Sequence, residues 1–460
     1  MMKRAIMLLV LTISMCSVAQ EKINLTLQQS VAMALEKNPE LQAAHKEVAK
    51  AKASVWEARA NILPTVNASA NFQKAWNIQE TTIPNFIKLM MGPGVSMIPA
   101  LADMPDYVRI SFGLENTFTY GANLQQPLFL GGAGWAGVQM AGAGKRAAEQ
   151  NYESKNQNLI YNTSAAFYGC MLAKQLVQVQ EEALAQAHAN LDIVIKKHDV
   201  GMASGFDKMR AEVEVANLKP DVISARNNMQ LALTHLRNVI GLERNVELDV
   251  SGELAYENDD YADMTLAEFQ KRALQSRPEM KALSEQVYIS RKGITVARSA
   301  FMPKLFFSTD YSFLAMRNDY QFRQDDFSKG FTSAVSLQIP LFHGLKNTKG
   351  FQKARLDYNI MLDTEKQVRD GVVAEAEMTF NKFQEARQKY QAARESISLA
   401  QEALRLANLM YEEGASTQLD VLSAQLARNR AQLNYISSLY EYQMARYAVR
   451  KATGALTSVL

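Results

Sequence analysis

Two segments in the first half of the chain alternate between apolar and polar residues with a period of two. They are 65–77 and 107–125. The apolar side of the longer segment consists of Val108, Ile110, Phe112, Leu114, Phe118, Tyr120, Ala122 and Leu124, and its polar side includes Arg109, Ser111, Glu115, Thr117, Thr119, Asn123 and Gln125. Such alternation predicts β-strands with one apolar and one polar face. Both segments reach the roughly 9–11 residues with which a tilted strand crosses a bilayer.

The second half of the chain repeats this alternation more weakly. A third strand would have Leu305, Phe307, Tyr311 and Phe313 on its apolar side, and a fourth Phe331, Val335, Leu337 and Ile339. Aromatic residues near strand ends, here Trp76 and Phe331, are typical of membrane-interface girdles. Four strands cannot close a barrel, and lipid tolerates no open sheet edge. Membrane strands would therefore have to be pooled by several copies of the chain; the alternative is a soluble sheet with two different faces.

The other segments follow a helical pattern. The patterns at 131–199 and 345–411 each predict a helix on the order of 100 Å long, at about 1.5 Å per residue. The patterns at 27–62, 206–240, 265–301 and 417–453 are about half as long. Core positions recur at alternating steps of three and four residues: Cys170, Ala173, Val177, Gln180, Leu184, Ala187, Leu191, Val194, His198, and again Phe383, Ala386, Tyr390, Ala393, Ile397, Ala400, Leu404, Ala407, Tyr411. This period predicts left-handed coiled-coil hairpins.

The chain also contains an internal repeat. Thr26, Ala34, Leu35, Pro39 and Glu40 recur 239 residues later as Thr265, Ala273, Leu274, Pro278 and Glu279. After the first strands the offset becomes 213, which aligns Leu124, Pro127, Leu128 and Phe129 with Leu337, Pro340, Leu341 and Phe342. The first half therefore carries 26 extra residues, between Pro64 and Pro127. A repeat of this length predicts a large supersecondary unit that is used twice.

The N-terminus is typical of an export signal. Lys3 and Arg4 precede an apolar run, and the small residues Ser17-Val18-Ala19 would allow cleavage before Gln20. Cys16 raises the alternative of lipidation, which the bulky Met15 before it disfavours.

These patterns give a complete domain plan. We predict a signal peptide (1–19), an N-terminal helix of the first repeat (20–64), a first β-hairpin (65–130) with a long outward loop (78–106), a first helical hairpin (131–241), an irregular segment (242–264), a helix opening the second repeat (265–303), a second β-hairpin (304–342), a second helical hairpin (343–456) and a tail (457–460).

The net charge, the cysteine count and the residue spacing argue against several functional classes. The net charge of +3 falls to about +1 without the signal, which argues against nucleic acid as a partner. Cys170 would then be the only cysteine, which excludes an internal disulfide. The five histidines show no metal-ligand spacing, and no nucleophile–base pattern stands out. We therefore predict a protein that is not an enzyme and has no cofactor or metal.

One glycine-rich segment resembles a nucleotide-binding motif. Residues 132–137, GAGWAG, match G-x-G-x-x-G after a strand and before a helix. The preceding strand alternates, however, whereas a dinucleotide-binding strand is buried on both faces, and the second repeat lacks these glycines. We predict that they allow the chain to change direction between the β-hairpin and the helix.

The two helical hairpins share a motif at their turns. Gly201–Asp207 and Gly414–Asp420 both fit G-x-x-[ST]-x-x-D. The glycine can adopt the left-handed conformation that ends a helix, and Ser204 or Thr417 can cap the next one. An acidic residue then lies in its first turn, where the helix dipole favours it. A well-formed αα-turn alone explains the motif; its occurrence at both turns favours a shared docking or gating role.

The repeated L-x-x-P-L-F block, the paired turns and the duplicated T-L-x(11)-P-E opening resemble the TolC-type outer-membrane efflux family. The resemblance covers essentially the whole mature chain. It implies a mainly α-helical homotrimer in the outer membrane of a Gram-negative bacterium. Its four transmembrane strands per chain would form a shared 12-stranded β-barrel embedded in outer-membrane lipid and continuous with a helical tunnel in the periplasm. It also implies a periplasmic adaptor and an inner-membrane pump as partners.

The resemblance also implies roles for particular residues. Gly201, Ser204, Gly414 and Thr417 would be adaptor-docking positions, Asp420 would lie at the pore constriction, and Tyr411 would pair with Asp207 as a latch between neighbouring hairpins. Family members often carry a second acid one turn beyond the position of Asp420. Here that residue is Ser423, and its counterpart is Arg210. A doubled acidic ring, and with it strong cation selectivity, is therefore not expected.

The sequence thus predicts a passive exit duct of a tripartite efflux or type I secretion system. The polar strand faces, including Arg109 and Glu115, would line the lumen of the barrel. The alternative is an exported coiled-coil scaffold or adaptor with a soluble β-domain. Drugs, metal ions and polypeptides all remain candidate cargoes, because in such systems the pump selects the cargo.

Overall fold

The computed structural model of the protein describes residues 22–92, 104–243 and 246–456. The predicted signal peptide, residues 93–103 of the predicted loop and the predicted tail lie outside the described residues. Two compact units can be distinguished. The first comprises the described parts of 1–52, 143–288 and 359–460, and the second comprises those of 53–142 and 289–358.

The described helices and strands follow the duplicated plan. The α-helices are α1 (Leu27–Lys37), α2 (Pro39–Ala60), α3 (Phe86–Met91), α4 (Ala133–Asp199), α5 (Gly205–Ile240), α6 (Leu266–Ser276), α7 (Pro278–Ser299), α8 (Lys346–Glu412) and α9 (Gln418–Ala452). The strands are β1 (Lys22–Leu25), β2 (Thr65–Lys74), β3 (Glu80–Pro84), β4 (Tyr107–Ser111), β5 (Asn116–Phe129), β6 (Glu247–Val250), β7 (Lys304–Arg317) and β8 (Ser328–Gln338). In the described residues, no helix is both long enough and apolar enough to span a membrane.

The second unit contains a four-stranded antiparallel sheet in the order β2-β5-β7-β8. Its register places Phe72 opposite Phe118, Tyr120 opposite Phe313, and Tyr311 opposite Phe331. Because side chains alternate between the two faces of a sheet, those predicted apolar positions that lie on these four strands share one face. The predicted polar positions share the other face. The amphipathic alternation seen in the sequence is therefore confirmed.

The prediction of one strand over residues 107–125 is wrong. β4 ends at Ser111 and β5 begins only at Asn116. Gly113 has a φ of 122°, a conformation that interrupts an extended strand. Arg109 lies on β4 opposite Thr82, and Glu115 lies between the strands. Neither residue belongs to the four-stranded sheet, so the reason for placing them in the lumen no longer holds.

The predicted outward loop (78–106) is more ordered than the sequence indicated. β3 pairs with β4 in a separate two-stranded sheet, and the short helix α3 follows β3. The buried Asn85 caps α3 through the N–H of Lys88 and donates a hydrogen bond of 3.0 Å to the carbonyl of Pro105. The strand β3 was missed because a five-residue strand that ends in a proline carries little sequence signal.

The helix lengths agree with the sequence analysis at the two hairpins. α4 and α8 contain 67 residues each, whereas α5 and α9 contain 36 and 35. Every position of the two predicted seams in α4 and α8 is buried or half-buried. The three–four spacing therefore identified the packed side of both long helices correctly.

The two remaining helices were predicted as continuous, and this is wrong in both repeats. α1 and α2 are separated at Asn38, and α6 and α7 are separated at Arg277. These residues have ψ values of 123° and 130°. Each precedes a proline, Pro39 or Pro278, whose ring disfavours the helical conformation of the residue before it.

The segment 242–264 is also more regular than predicted. β6 pairs in parallel with β1, with Ile23 opposite Leu248, and a 3-10 helix spans Asp260–Asp263. Leu25, Leu248 and Val250 are buried in the main core of the first unit. The largest fully buried side chains of the chain also belong to this core, among them Tyr442, Phe269, Phe383, Ile160, Leu236 and Ile240.

An ionic cluster fastens this segment to α9. Arg446 donates to Asp259 over 3.1 Å and to Glu257 over 2.8 Å, and Arg450 reaches Asp259 at 2.9 Å. The side chains of Arg446 and Asp259 are only 4% and 2% exposed. Gln443 also donates to the carbonyl of Ala255. The sequence analysis missed this cluster because its members are separated by almost 190 residues.

Candidate functional site: the paired helical turns

The first helical hairpin turns at Gly201. This residue has a φ of 77°, in the left-handed region. The N–H of Met202 donates to the carbonyl of Lys197 over 2.7 Å, and the N–H of Gly201 donates to that of His198 over 2.9 Å. These bonds satisfy the last carbonyls of α4, as is typical of a helix that ends with a left-handed glycine.

The second hairpin turns in the same way at Gly414. Its φ is 73°, the N–H of Ala415 donates to the carbonyl of Met410 over 2.8 Å, and its own N–H donates to that of Tyr411 over 3.3 Å. The predicted helix stop is therefore confirmed in both repeats.

The predicted caps are confirmed as well. The Ser204 hydroxyl accepts the N–H of Asp207 over 3.1 Å, and the Asp207 carboxylate accepts the N–H and hydroxyl of Ser204 over 3.1 and 2.6 Å. Thr417 and Asp420 form the same reciprocal arrangement, with distances of 3.4, 2.8 and 2.7 Å. Each motif thus builds one left-handed stop followed by one capping box.

These hydrogen bonds act on the ionised form of each carboxylate. The Ser204 hydroxyl and backbone N–H lower the pKa of Asp207, and those of Thr417 lower the pKa of Asp420. A carboxylate that accepts hydrogen bonds is stabilised in its charged form. Both carboxylates are therefore ionised at neutral pH.

The predicted docking positions all lie on the surface. Gly201, Ser204, Gly414 and Thr417 are exposed, and so is Asp420. The two predicted latch residues, Asp207 and Tyr411, are half-buried. The structure thus places Gly201, Ser204 and Asp207 at the first turn and Tyr411, Gly414, Thr417 and Asp420 at the second. The docking, constriction and latch roles stay predictions.

The latch residues have other partners within this chain. The Asp207 carboxylate is held by Ser204, while the Nζ atom of Lys197 lies 3.8 Å from the centroid of the Tyr411 ring. Lys197 was missed by the sequence analysis, because it lies one position before the predicted seam residue His198 and belongs to no motif.

Ion pairs connect the distal parts of the helices. Arg226 on α5 pairs with Glu181 on α4 at 2.6 Å, and Arg428 on α9 pairs with Glu182 at 3.5 Å. Beside the first turn, the Arg210 guanidinium lies 4.8 Å from the centroid of the Phe206 ring. Arg210, the basic counterpart of Ser423 in the first repeat, thus lies against an aromatic ring.

The chain turns at Gly132, the first glycine of the nucleotide-like motif, and at Gly131 directly before it. Gly131 and Gly132 have φ values of 63° and 89°, and α4 begins directly afterwards at Ala133. A Cβ atom on Gly131 would lie 2.6 Å from the Cβ of Met302. Gly131 and Gly132 therefore allow the change of direction that the sequence predicted, whereas Gly134 and Gly137 lie within α4.

Away from the turns, we looked at the described residues for a metal site and for a reactive thiol. Within the described ranges, no three or more histidine, cysteine or acidic side chains cluster as metal ligands would. Cys170 is buried in the core, and burial raises the pKa of its thiol to about 12.

The duplicated plan and the paired turns agree with comparisons to known proteins. The profile of the family described as "Outer membrane efflux protein" matches residues 31–242 and 270–455. The alkaline protease secretion protein AprF of Pseudomonas aeruginosa is 21% identical over 430 residues, which cover 92% of this chain and 83% of that protein. The outer membrane protein TolC of Vibrio cholerae is 20% identical over 340 residues, covering 73% and 76%.

A solved structure shares the fold. The CmeC outer membrane channel of Campylobacter jejuni superimposes with a TM-score of 0.75 at 20% identity, over 93% of this chain and 85% of that one. With its profile matched over most of its length, the chain belongs to the outer membrane efflux protein family.

Proposed function

We propose that the protein is a passive exit duct in the outer membrane of a Gram-negative bacterium, and that three copies assemble it. The observation that carries this proposal is the four-stranded sheet, whose apolar residues lie on one exposed face. The mature duct would take substrate from a periplasmic adaptor and an inner-membrane pump. Family membership favours this reading over a soluble scaffold.

The composition and edges of the sheet support a membrane role. Val66, Phe331 and Val335 lie on the apolar face and are 67%, 72% and 65% exposed. In the described residues, β2 and β8 each pair with a single strand and leave one edge open. An open edge costs several kcal/mol per unpaired backbone group in lipid. Pairing β2 of one copy with β8 of the next would remove every edge, and three copies would supply twelve strands.

Two exposed, mainly apolar helix stripes support a ring of copies. The α5 stripe consists of Phe206, Met209, Val213, Ala216, Pro220 and Ile223, and the α8 stripe of Ala392, Leu399, Ala403, Leu406 and Met410, all exposed. Both follow coiled-coil spacing. Packing of the α5 stripe of one copy against the α8 stripe of the next would be a head-to-tail contact, which generates a ring when the rotation between copies closes.

The opposite face of the sheet would line the lumen. It carries Asn67, Asn71, Asn123, Asp310 and Thr332 at positions that the register brings together. These residues take the place of Arg109 and Glu115, which lie outside the sheet. A polar lumen lets hydrated cargo pass without supplying energy, so the transport energy would come from the pump.

The paired turns would form the periplasmic end of the duct. Gly201, Ser204, Gly414 and Thr417 would meet the adaptor, and the exposed Asp420 would lie at the constriction. Asp207 of one hairpin would accept a hydrogen bond from the Tyr411 hydroxyl of a neighbouring hairpin when the end is closed. Ser423 stands where a second acid would lie one turn beyond Asp420, which favours a weakly selective gate.

The assembly can be tested with the mature protein. We expect it to fractionate with outer membranes, to migrate as an SDS-resistant trimer that heating dissociates, and to conduct ions in planar bilayers. A protein recovered as a water-soluble monomer would contradict the proposal and favour the scaffold.

The latch has a separate test. Tyr411→Ala and Asp207→Ala should each raise the conductance of the reconstituted trimer, because each removes one side of the same hydrogen bond. Unchanged conductance in both variants would remove the latch assignment and leave the duct intact.

A further inference from the structure

The two turns of one chain are joined by a contact that no sequence motif marks. Lys197 lies near the end of α4 and Tyr411 near the end of α8, so the contact bridges the two repeats. The Lys197 Nζ lies 3.8 Å from the centroid of the Tyr411 ring. An ammonium group at this distance is attracted by the negative face of the ring.

Both residues are coupled to the backbone of their turns. The carbonyl of Lys197 accepts the N–H of Met202, and the carbonyl of Tyr411 accepts the N–H of Gly414. A movement of the first turn would therefore shift Lys197, and a movement of the second turn would shift Tyr411. Lys197 and Tyr411 are both half-buried, so part of the contact is shielded from water.

We propose that Lys197 is a positioning residue of the gate. Its ammonium group on the Tyr411 ring holds the two turns of one chain together and favours the closed conformation of the periplasmic end. This inference rests on the proposed function. It differs from the Asp207 latch in the part of Tyr411 that it uses, because Lys197 contacts the ring and the latch would use the hydroxyl.

The contact is present once per chain. The repeat counterpart of Lys197 is the exposed Met410, which has no charge. The ion pairs Glu181–Arg226 and Glu182–Arg428 lie at least 15 residues before Lys197 along α4, where they fasten helices rather than turns. A trimer would therefore carry three such contacts, each inside one subunit.

Substitutions can separate the ring from the hydroxyl. Lys197→Met removes the ammonium group and keeps much of the side-chain length, whereas Lys197→Arg keeps a cation that can lie on the ring. Lys196→Met is the matched control, because it removes the same charge from the exposed neighbouring residue. Tyr411→Phe keeps the ring and removes the hydroxyl, and Tyr411→Leu removes both.

The experiment measures the open fraction and conductance of purified trimers in planar bilayers. We expect Lys197→Met to raise the open-to-closed ratio by about three- to tenfold, and Lys197→Arg and Lys196→Met to resemble the wild type. Combining Lys197→Met with Tyr411→Leu should add nothing to the effect of Tyr411→Leu alone.

The outcomes distinguish the two hypotheses about Tyr411. A Lys197→Met variant that gates like Lys196→Met would overturn the role of Lys197, even if Tyr411→Phe opened the channel through loss of the latch. Opening by Lys197→Met but not by Tyr411→Phe would assign the closed state to the ring contact alone. Trimers that conduct no ions either as the wild type or as any of these variants would refute the proposed function itself.

Discussion

Tyr120 and Phe313 stack with their ring centroids 4.7 Å apart and their planes 9° from parallel. They face each other across β5 and β7, the strands through which the two repeats meet in the sheet. Aromatic pairs of this kind stabilise a sheet beyond the area that they bury. The repeats therefore share one continuous apolar face rather than forming two separate hairpins.

A charge on that face should prevent stable insertion. Val335→Arg places a guanidinium among apolar neighbours and should cost up to about 2–4 kcal/mol at the bilayer midplane. The adjacent Ser336→Arg points to the polar face and should be close to neutral. The urea midpoints of both variants, measured in lipid vesicles, check this prediction. Equal destabilisation by the two substitutions would contradict the assignment of the faces.

The left-handed glycines at the two turns should resist substitution. Gly201→Ala and Gly414→Ala each force a Cβ atom into a positive-φ conformation, at a cost of about 1–2 kcal/mol. Gly169→Ala is a suitable control, because a Cβ atom there has open space in the middle of α4. It should stabilise the helix by about 0.5–1 kcal/mol. Thermal unfolding of the three variants distinguishes the signs, and a stabilised Gly201→Ala variant would contradict the turn geometry.

The capping carboxylates should make the turns sensitive to acid. The pKa values of Asp207 and Asp420 are lowered below their ordinary value of 3.8 in the folded protein. Their contribution to stability is therefore present above about pH 4 and is lost as the pH falls through the folded pKa values. The unfolding midpoint of an Asp207→Asn, Asp420→Asn double variant should lie below that of the wild type at pH 7. The two midpoints should converge near pH 2, and a constant difference would argue against the capping role.

The sequence predicted the features that depend on local pattern. Period-two alternation located the apolar and polar faces of the sheet, and three–four spacing located the seams, because each side chain's direction follows from its position in a regular element. The motif at Gly201 and Gly414 was also predictable, since a left-handed stop and a capping box need particular residues at fixed steps.

The errors have equally local causes. The sequence analysis placed Asn38 and Arg277 inside helices. It used the prolines that follow them only to align the two repeats, although a proline also disfavours the helical conformation of the residue before it. Gly113 was passed over in the same way within an apparently continuous strand. Lys197 was beyond prediction for another reason: its contact with Tyr411 joins residues 214 positions apart and leaves no periodic signal.

Arg446 offers the sharpest test of the core. Its guanidinium is almost fully buried and pairs with Asp259 and Glu257, so Arg446→Met would leave Asp259 buried with only Arg450 as a cationic partner. Removing one member of a buried ion pair costs about 3–5 kcal/mol, and the remaining arginine places the expected loss at the lower end of that range.

Arg226→Met is the matched control for this prediction, because it breaks an ion pair whose arginine is 65% exposed. Exposed pairs contribute about 0–1 kcal/mol, so this variant should unfold close to the wild type. The double variant Arg446→Met, Asp259→Asn replaces the buried carboxylate by a neutral amide. It should therefore recover part of the stability that Arg446→Met loses. Denaturant midpoints of the three variants check these expectations. If Arg446→Met cost no more than Arg226→Met, the cluster would be a solvated surface network, and the packing of residues 253–263 against α9 would need another explanation.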